Sequence, residues 1–266
     1  MVNEKLLEAI ARELYDETGW ALSLAGDTLC SPLIAWQLEQ EDGQLFRYPE
    51  PFNRAVSGSC TVLFLGLGSS YRPDVDAPGL GASFEDYHNF YKTRLHEIRA
   101  SGFPARRTLA GSLRPIDEYK RIEQWYLSTI QSPAGPLMLG DNCMYADAIP
   151  FKAGKWGRRN GARGILRMSG RWPDAVAAYN RRIERLIEAT EPTLTVVQRV
   201  DATDLFPELE GVKMADAPIL SIRRGNVEFA IQWMFHTSSA RFQTSTPEYY
   251  LMASAKAQAF LSERLG

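Results

Sequence analysis

Cysteine is scarce in this chain, and so are long apolar runs and any surplus of one charge. Each shortage narrows what the protein can be. The only cysteines are Cys30, Cys60 and Cys143. Odd in number and widely spaced, they do not make a zinc or iron–sulfur site, and they read as reduced, buried thiols of an intracellular protein. No apolar stretch is long enough to span a bilayer. The first residues, Met1-Val2-Asn3-Glu4-Lys5, begin an amphipathic helix and not a signal peptide, which points to the cytoplasm. The net charge is -2, so there is no global signature of nucleic-acid binding, although a local basic stripe can still supply one. Internal repeats, coiled-coil heptads and low-complexity tracts are missing as well. What remains is a 266-residue chain, 45% hydrophobic and 23% charged. That suits one large globular domain, or one domain with extensions.

The stretch that organises the chain is Thr61-Val62-Leu63-Phe64-Leu65 followed by Gly66-Leu67-Gly68-Ser69-Ser70-Tyr71. A buried parallel strand would deliver a small-residue turn to the carboxyl edge of a sheet, where open α/β folds bind ligands. Before it, Leu6, Leu7, Ile10 and Leu14 predict a helix over 3–17, and Tyr48-Pro49-Glu50-Pro51-Phe52 predicts an extended segment. After it come a long loop (72–82), a helix capped by Ser83 and running from Phe84 to about Ala100, and a helix over Pro115–Gln131. Pro136–Leu139 and the residues after it read as the next strand, leaving Asp141-Asn142 near its end. Lys152–Trp172 reads as a basic loop, Trp172 to about Ala189 as a helix, and Thr193–Val200 as a β-branched strand. Pro218–Arg224 and Val227–Phe235 form a strand pair, and Pro247–Leu265 a closing helix. Strands alternating with helices argue for an α/β layered domain around a mainly parallel sheet over 46–266, with 1–45 as a helical extension.

Three groups of residues have chemical potential. Gly66-Leu67-Gly68 fits a tight turn; a dinucleotide loop would need a third glycine and an earlier helix. His236 at a strand end is either a rim side chain or, with Thr237-Ser238-Ser239-Ala240-Arg241 behind it, part of a turn that grips phosphate. Residues 152–172 contain Lys152, Lys155, Arg158, Arg159, Arg163, Arg167 and Arg171, interleaved with Trp156 and several glycines and free of acids. Such a loop is either simply solvated or able to close on a nucleic-acid backbone.

Taken in order, these segments resemble the uracil-DNA glycosylase superfamily, nearest its single-strand-selective monofunctional branch. That family pairs a Gly-Met-Asn-Pro-Gly turn with a later His-Pro-Ser turn, and an Asn-Cys-Phe-Val-His-Asn-Leu-Cys-Pro-Leu segment lies between them. Here the three are Gly66-Leu67-Gly68-Ser69-Ser70, His236-Thr237-Ser238, and Asn142-Cys143-Met144-Tyr145-Ala146-Asp147-Ala148-Ile149-Pro150-Phe151. Tyr48-Pro49-Glu50-Pro51-Phe52 is similar to the Tyr-Asn-Pro-Leu stretch before the first motif, so the likeness covers 45–245. The resemblance implies a three-layer α/β sandwich and an enzyme that flips a nucleotide into a pocket and hydrolyses its glycosidic bond with water, without a cofactor or metal. It gives His236 the role of donor to the base oxygen. It places Ser238, Ser239 and Arg241 on phosphate, with Lys152, Lys155, Arg158 and Arg159 on the DNA backbone. Gly66 to Tyr71 and Asn142 line the base pocket, and the stacking aromatic is Phe84, with Tyr71 second.

Three departures from the family pattern carry information. Gly68 stands where the family has the Asn or Asp that positions water, so Asp74, Asp141 or Asp147 would have to serve, and Asp74 is assigned here. Ser70 replaces a bulky tyrosine and leaves room at the base C5 position. Asp147 replaces the uracil-reading Asn. A carboxylate offers no donor to the O4 of uracil but pairs with the N4 amino group of cytosine, and a protonated Asp147 could also donate to N3. These features lead to a glycosylase for C5-modified cytosine, such as the glucosylated hydroxymethylcytosine of phage DNA that some superfamily members remove in defence. The alternatives are uracil excision in base repair and a catalytically silent DNA-binding module. A monomer working on DNA away from membranes is expected.

Overall fold

Leu63, Leu65 and Leu67 alternate with Val62, Phe64 and Gly66 along strand β1 (Val62–Ser70), and both sets are buried, so the strand has a core on each side. This is why the run reads as continuously apolar instead of alternating with polar residues. The computed structural model describes residues 1–23, 27–40, 46–53, 58–70, 78–100, 102, 106–107, 113–114, 117–132, 135–154, 159–198, 200–235 and 247–265.

The odd-numbered leucines pack in one cluster with helices α1 (Glu4–Leu22) and α2 (Ser31–Leu38) and the tyrosines of α3 (Phe84–Ala100). Val62 and Phe64 pack in a second cluster on the opposite face, with α4 (Asp117–Arg121) and the helical turns after it close by. A small hairpin, β2 (Arg106–Arg107) with β3 (Leu113–Arg114), stands apart from the main sheet. Strand β4 (Cys143–Ala153) is parallel to β1 on one side. Helices α5 (Ala162–Met168) and α6 (Trp172–Thr190) join the first cluster. Strand β5 (Leu194–Gln198) is parallel to β1 on its other side. Strand β6 (Ile219–Arg224) turns through Gly225 into β7 (Val227–Met234), which pairs parallel with β5, and α7 (Pro247–Leu265) closes the second cluster. The result is an α/β fold around a five-stranded, mostly parallel sheet of order β4-β1-β5-β7-β6, with helices on both faces. Among the described residues no helix is long and apolar enough to cross a membrane.

The local reasons are mostly visible in the residues. Asn3 caps α1, its side chain accepting from the Leu6 amide at 3.2 Å, and Leu7, Ile10, Ala11 and Leu14 form the buried face. The helix outruns the expected 3–17 because Thr18 and Ala21 extend that face. Helices α1 and α2 share one core cluster with β1. Ser83 caps α3 through the Asp86 amide at 3.1 Å, as expected. The expected 115–131 helix is composite: α4, a π turn at Ile122–Tyr126, then a 3-10 turn at Leu127–Thr129.

Three expectations are corrected. Pro136–Leu139 is not a strand. The Met138 carbonyl accepts from the amides of Asp141, Asn142 and Cys143, which closes a turn, and β4 starts only after it. Gly140 in that turn has φ +78°, and a Cβ there would fall 2.5 Å from the His96 amide nitrogen of α3. Residues 152–172 are not a single basic loop: Lys152 and Ala153 end β4, and Ala162, Ile165 and Leu166 at helical spacing make α5. Gly66 to Ser70 are not a turn but the last five residues of β1, paired to β4 with a register irregularity between Gly68 and Ser70.

Candidate functional site at the carboxyl edge of the sheet

Register places Gly66 of β1 opposite Asp147 of β4. Gly66 is there for space and not for a turn. A Cβ on it would lie 2.2 Å from Asp147 Oδ1 and 2.6 Å from the Tyr145 hydroxyl. Both side chains therefore lean across β1, on the face of the second cluster, over a position of the strand that has no side chain. Asp147 is 8% exposed. Tyr145 packs edge-on against Tyr119, ring centroids 5.1 Å apart, and Asn53 donates to the Tyr119 hydroxyl at 3.3 Å.

The wall behind β4 is built by the extended segment expected at 48–52. Its backbone pairs with β4 where the Asn53 and Tyr145 amides each donate to the other's carbonyl, and where the Glu50 amide donates to the Pro150 carbonyl. This carries the Glu50 side chain into the interior. Arg94 of α3 donates to Glu50 Oε2 at 3.2 Å and Lys152 of β4 at 3.0 Å, while Asn53 donates to Oε1. All four residues are buried. Burial alone would raise the Glu50 carboxyl, but Lys152, then Arg94, then the hydrogen bonds from Lys152 and Asn53 outweigh it and hold the group at about 2. Burial pulls the Lys152 ammonium below its ordinary value, opposed by Glu50 and, more weakly, by Asp147. Arg182 of α6 completes the wall, donating to the Pro51 carbonyl and, at 3.4 Å, to that of Asp147.

The resulting site offers an acceptor-rich carboxylate at a sheet edge, backed by a fixed cluster of charges. It lies where α/β sheets bind ligands. Sequence reasoning missed Glu50, Asn53 and Arg94; the signal for Glu50 was a charged residue between two prolines in an otherwise apolar segment. It also missed Gln198, the last residue of β5, which is fully buried.

The expected site residues divide clearly. Asp147 and Gly66 come together at this edge. Leu67 belongs to the core of the opposite face. Lys152 is withdrawn from any DNA contact, since it is buried and ion-paired to Glu50. Asn142 closes the turn at the amino end of β4, accepting from the Met138 amide at 2.9 Å and donating to the Pro136 carbonyl at 2.9 Å. Five steps along the strand, roughly 16 Å, separate it from Asp147. It therefore does not line the pocket, and Asp141 beside it is too far to activate water there. Phe84 is not a free stacking surface: the Arg12 guanidinium lies 3.3 Å from its ring centre, and His88 and Tyr15 pack against it in the first cluster.

Arg159 is exposed, beside an open cleft of about 510 Å³ that Trp36, Asn160, Ile165 and Met168 also line. Arg163 and Arg167 pair with Asp204, and Arg171 with Asp27, so the positive charge of this region is partly neutralised from elsewhere in the chain. Gly68, Ser69 and Ser70 lie in β1, but their side chains fall outside the described residues, as do Tyr71, Asp74, Lys155, Arg158, His236, Ser238, Ser239 and Arg241. The described part of β7 ends at Met234, paired with Gln198, so Phe235 leaves the sheet at this same edge. Among the described residues no group of three or more His, Cys, Asp or Glu is placed to hold a metal. The chain matches no protein-family model and no curated protein at a significant level.

Proposed function

We propose that this chain is a DNA glycosylase of the uracil-DNA glycosylase superfamily, acting on a flipped cytosine derivative substituted at C5 and leaving an abasic site. The observation that carries this reading is the Asp147 carboxylate laid over Gly66 at the carboxyl edge of a parallel sheet. A carboxylate accepts but does not donate, so it favours the N4 amino group of cytosine over the O4 of uracil. Glu50, held ionised by Lys152 and Arg94, keeps β4 and its neighbouring segment rigid, so the reading edge is fixed before the base arrives.

In the reaction, water adds to the sugar C1′ as the C1′–N1 bond breaks and its electron pair departs with the base. His236, directly after Phe235, donates to the base oxygen that gains charge. Asp74 takes the proton of water, the role that Gly68 lacks the side chain to perform. Ser238, Ser239 and Arg241 hold phosphate, with Lys155, Arg158 and Arg159 along the backbone. Ser70 leaves room for the C5 substituent.

Oligonucleotides carrying uracil, cytosine, hydroxymethylcytosine or its glucosylated form, assayed for alkali-labile sites, test the proposal. Cleavage at a modified cytosine and not at uracil is expected. Cleavage at uracil alone would instead mark a base-repair enzyme, and binding without cleavage a silent DNA-binding module.

A further inference from the structure

Three fully or almost fully buried glutamines provide an internal control. Gln37 donates to the Lys152 carbonyl at 2.9 Å and accepts from the Arg47 amide at 3.0 Å. Gln232 of β7 donates to the Ala253 carbonyl at 2.8 Å and accepts from the Tyr126 hydroxyl. Gln198 is as buried as Gln232, yet neither its Oε1 nor its Nε2 has a hydrogen-bond partner among the described residues. Buried amides are almost always satisfied, and leaving one unmade is costly.

Its position suggests what it is for. Leu194 and Val196 of β5 pack in the second cluster and Val197 in the first, so alternation turns Gln198 to the face that Asp147 and Gly66 share. Leu65 is in register with Val197, so the next step along both strands sets Gln198 beside Gly66, with Asp147 on the other side. The row therefore runs Asp147, Gly66, Gln198. The Asp147 carboxylate reaches over Gly66 toward Gln198, so a carboxylate and an unsatisfied amide stand side by side, about one strand spacing or roughly 5 Å apart. That spacing suits two parallel hydrogen bonds to the amino and carbonyl groups that flank one edge of a six-membered heterocycle.

We infer that Gln198 is a specificity-determining contact to the base. Its Nε2 donates to the ring carbonyl O2 of a pyrimidine whose amino edge is held by Asp147. This rests on the proposed reading of the site as a base pocket, but it does not require that the bond to the sugar be broken. The pair reads the two ends of one ring edge: Asp147 requires a donor and Gln198 a carbonyl. Cytosine and its C5 derivatives provide both, whereas uracil places the O4 carbonyl where the amino group would be.

The test is calorimetric titration of the wild-type chain and of Gln198→Met and Gln198→Glu with free cytosine, hydroxymethylcytosine and uracil, alongside thermal melts. Methionine keeps the length of the side chain and removes both polar atoms. It is expected to leave Tm unchanged or raised while weakening hydroxymethylcytosine binding ten-fold or more. Gln198→Glu, which loses the donor, is expected to bind at least as weakly. A fall in Tm for Gln198→Met with binding unchanged would overturn the inference, because the amide would then be structural. So would a wild-type chain that binds no pyrimidine. If hydroxymethylcytosine binds and Gln198→Met abolishes the binding while no oligonucleotide is cleaved, the glycosylase reading fails and the base contact stands.

Discussion

Two polar regions meet at β4 and follow opposite rules. Behind the strand, Glu50 receives Arg94, Lys152 and Asn53, and every charge in the group has an opposite charge in contact. Across its front face, Gln198 sits fully buried in the same row as Asp147 with neither amide atom engaged by any of the described residues. A buried polar group whose partners come from its own chain fixes the fold. One without such partners adds cost to the folded state, and a ligand that completes it recovers that cost. The first region should therefore govern stability and the second recognition.

The largest effect should come from Glu50→Ala. It strands two buried cations, and removing one partner of such a group costs about 3–5 kcal/mol. Urea unfolding should show it as a fall in the midpoint. A loss near zero would place the cluster outside the stabilising core and remove the contrast. The same group predicts an acid limb. The folded Glu50 carboxyl sits near 2, below its ordinary 4.5, so its contribution is complete above about pH 4.5 and is lost as the pH falls toward 2. That loss is on the order of 3 kcal/mol, readable from denaturation at stepped pH, and Glu50→Ala should flatten the slope.

Gly66→Ala should cost about 1–3 kcal/mol through overpacking against Asp147 and Tyr145, and should abolish base binding as the carboxylate is pushed aside. Asp147→Asn should change stability little but swing base preference toward uracil ten-fold or more, about 1.4 kcal/mol, in competition between the two oligonucleotides. An unchanged preference would remove Asp147 from the reading edge. Smallest of all, Arg159→Ala should alter stability by no more than about 0.5 kcal/mol, since the side chain is exposed.

The parts of the fold legible in the residues were those where one local cue decides. Ser83 before α3, proline in the first turn of α6 and the β-branched run of β5 all do so. The start of β4 was not legible, because Leu137, Met138 and Leu139 have the apolar character of a strand. Only the backbone turn gathered on the Met138 carbonyl shows that they precede it. The basic stretch misled for a related reason. Its arginines pair with Asp204 and Asp27, residues far away in sequence, so local charge counting overstated the free charge. At the site, the resemblance singled out Asp147 from its segment, and the strand register sets that residue beside Gly66. Glu50, Arg94 and Lys152 were not, because they come from three distant segments that only the tertiary fold unites. Gly66 was visible as a glycine but misread, since the space above a strand depends on the neighbouring strand's side chains.

The segment holding Glu50 and Asn53 lies along the outer side of β4, which would otherwise be an open sheet margin. At the far margin, β6 carries exposed Ser221 and Arg223, the latter pairing with Glu228. Both borders are thus guarded against strand addition from another molecule, one by a covering peptide and one by charge. Peeling the cover from β4 would also drag Glu50 out of its ion pairs, so the cluster that steadies the fold also resists aggregation.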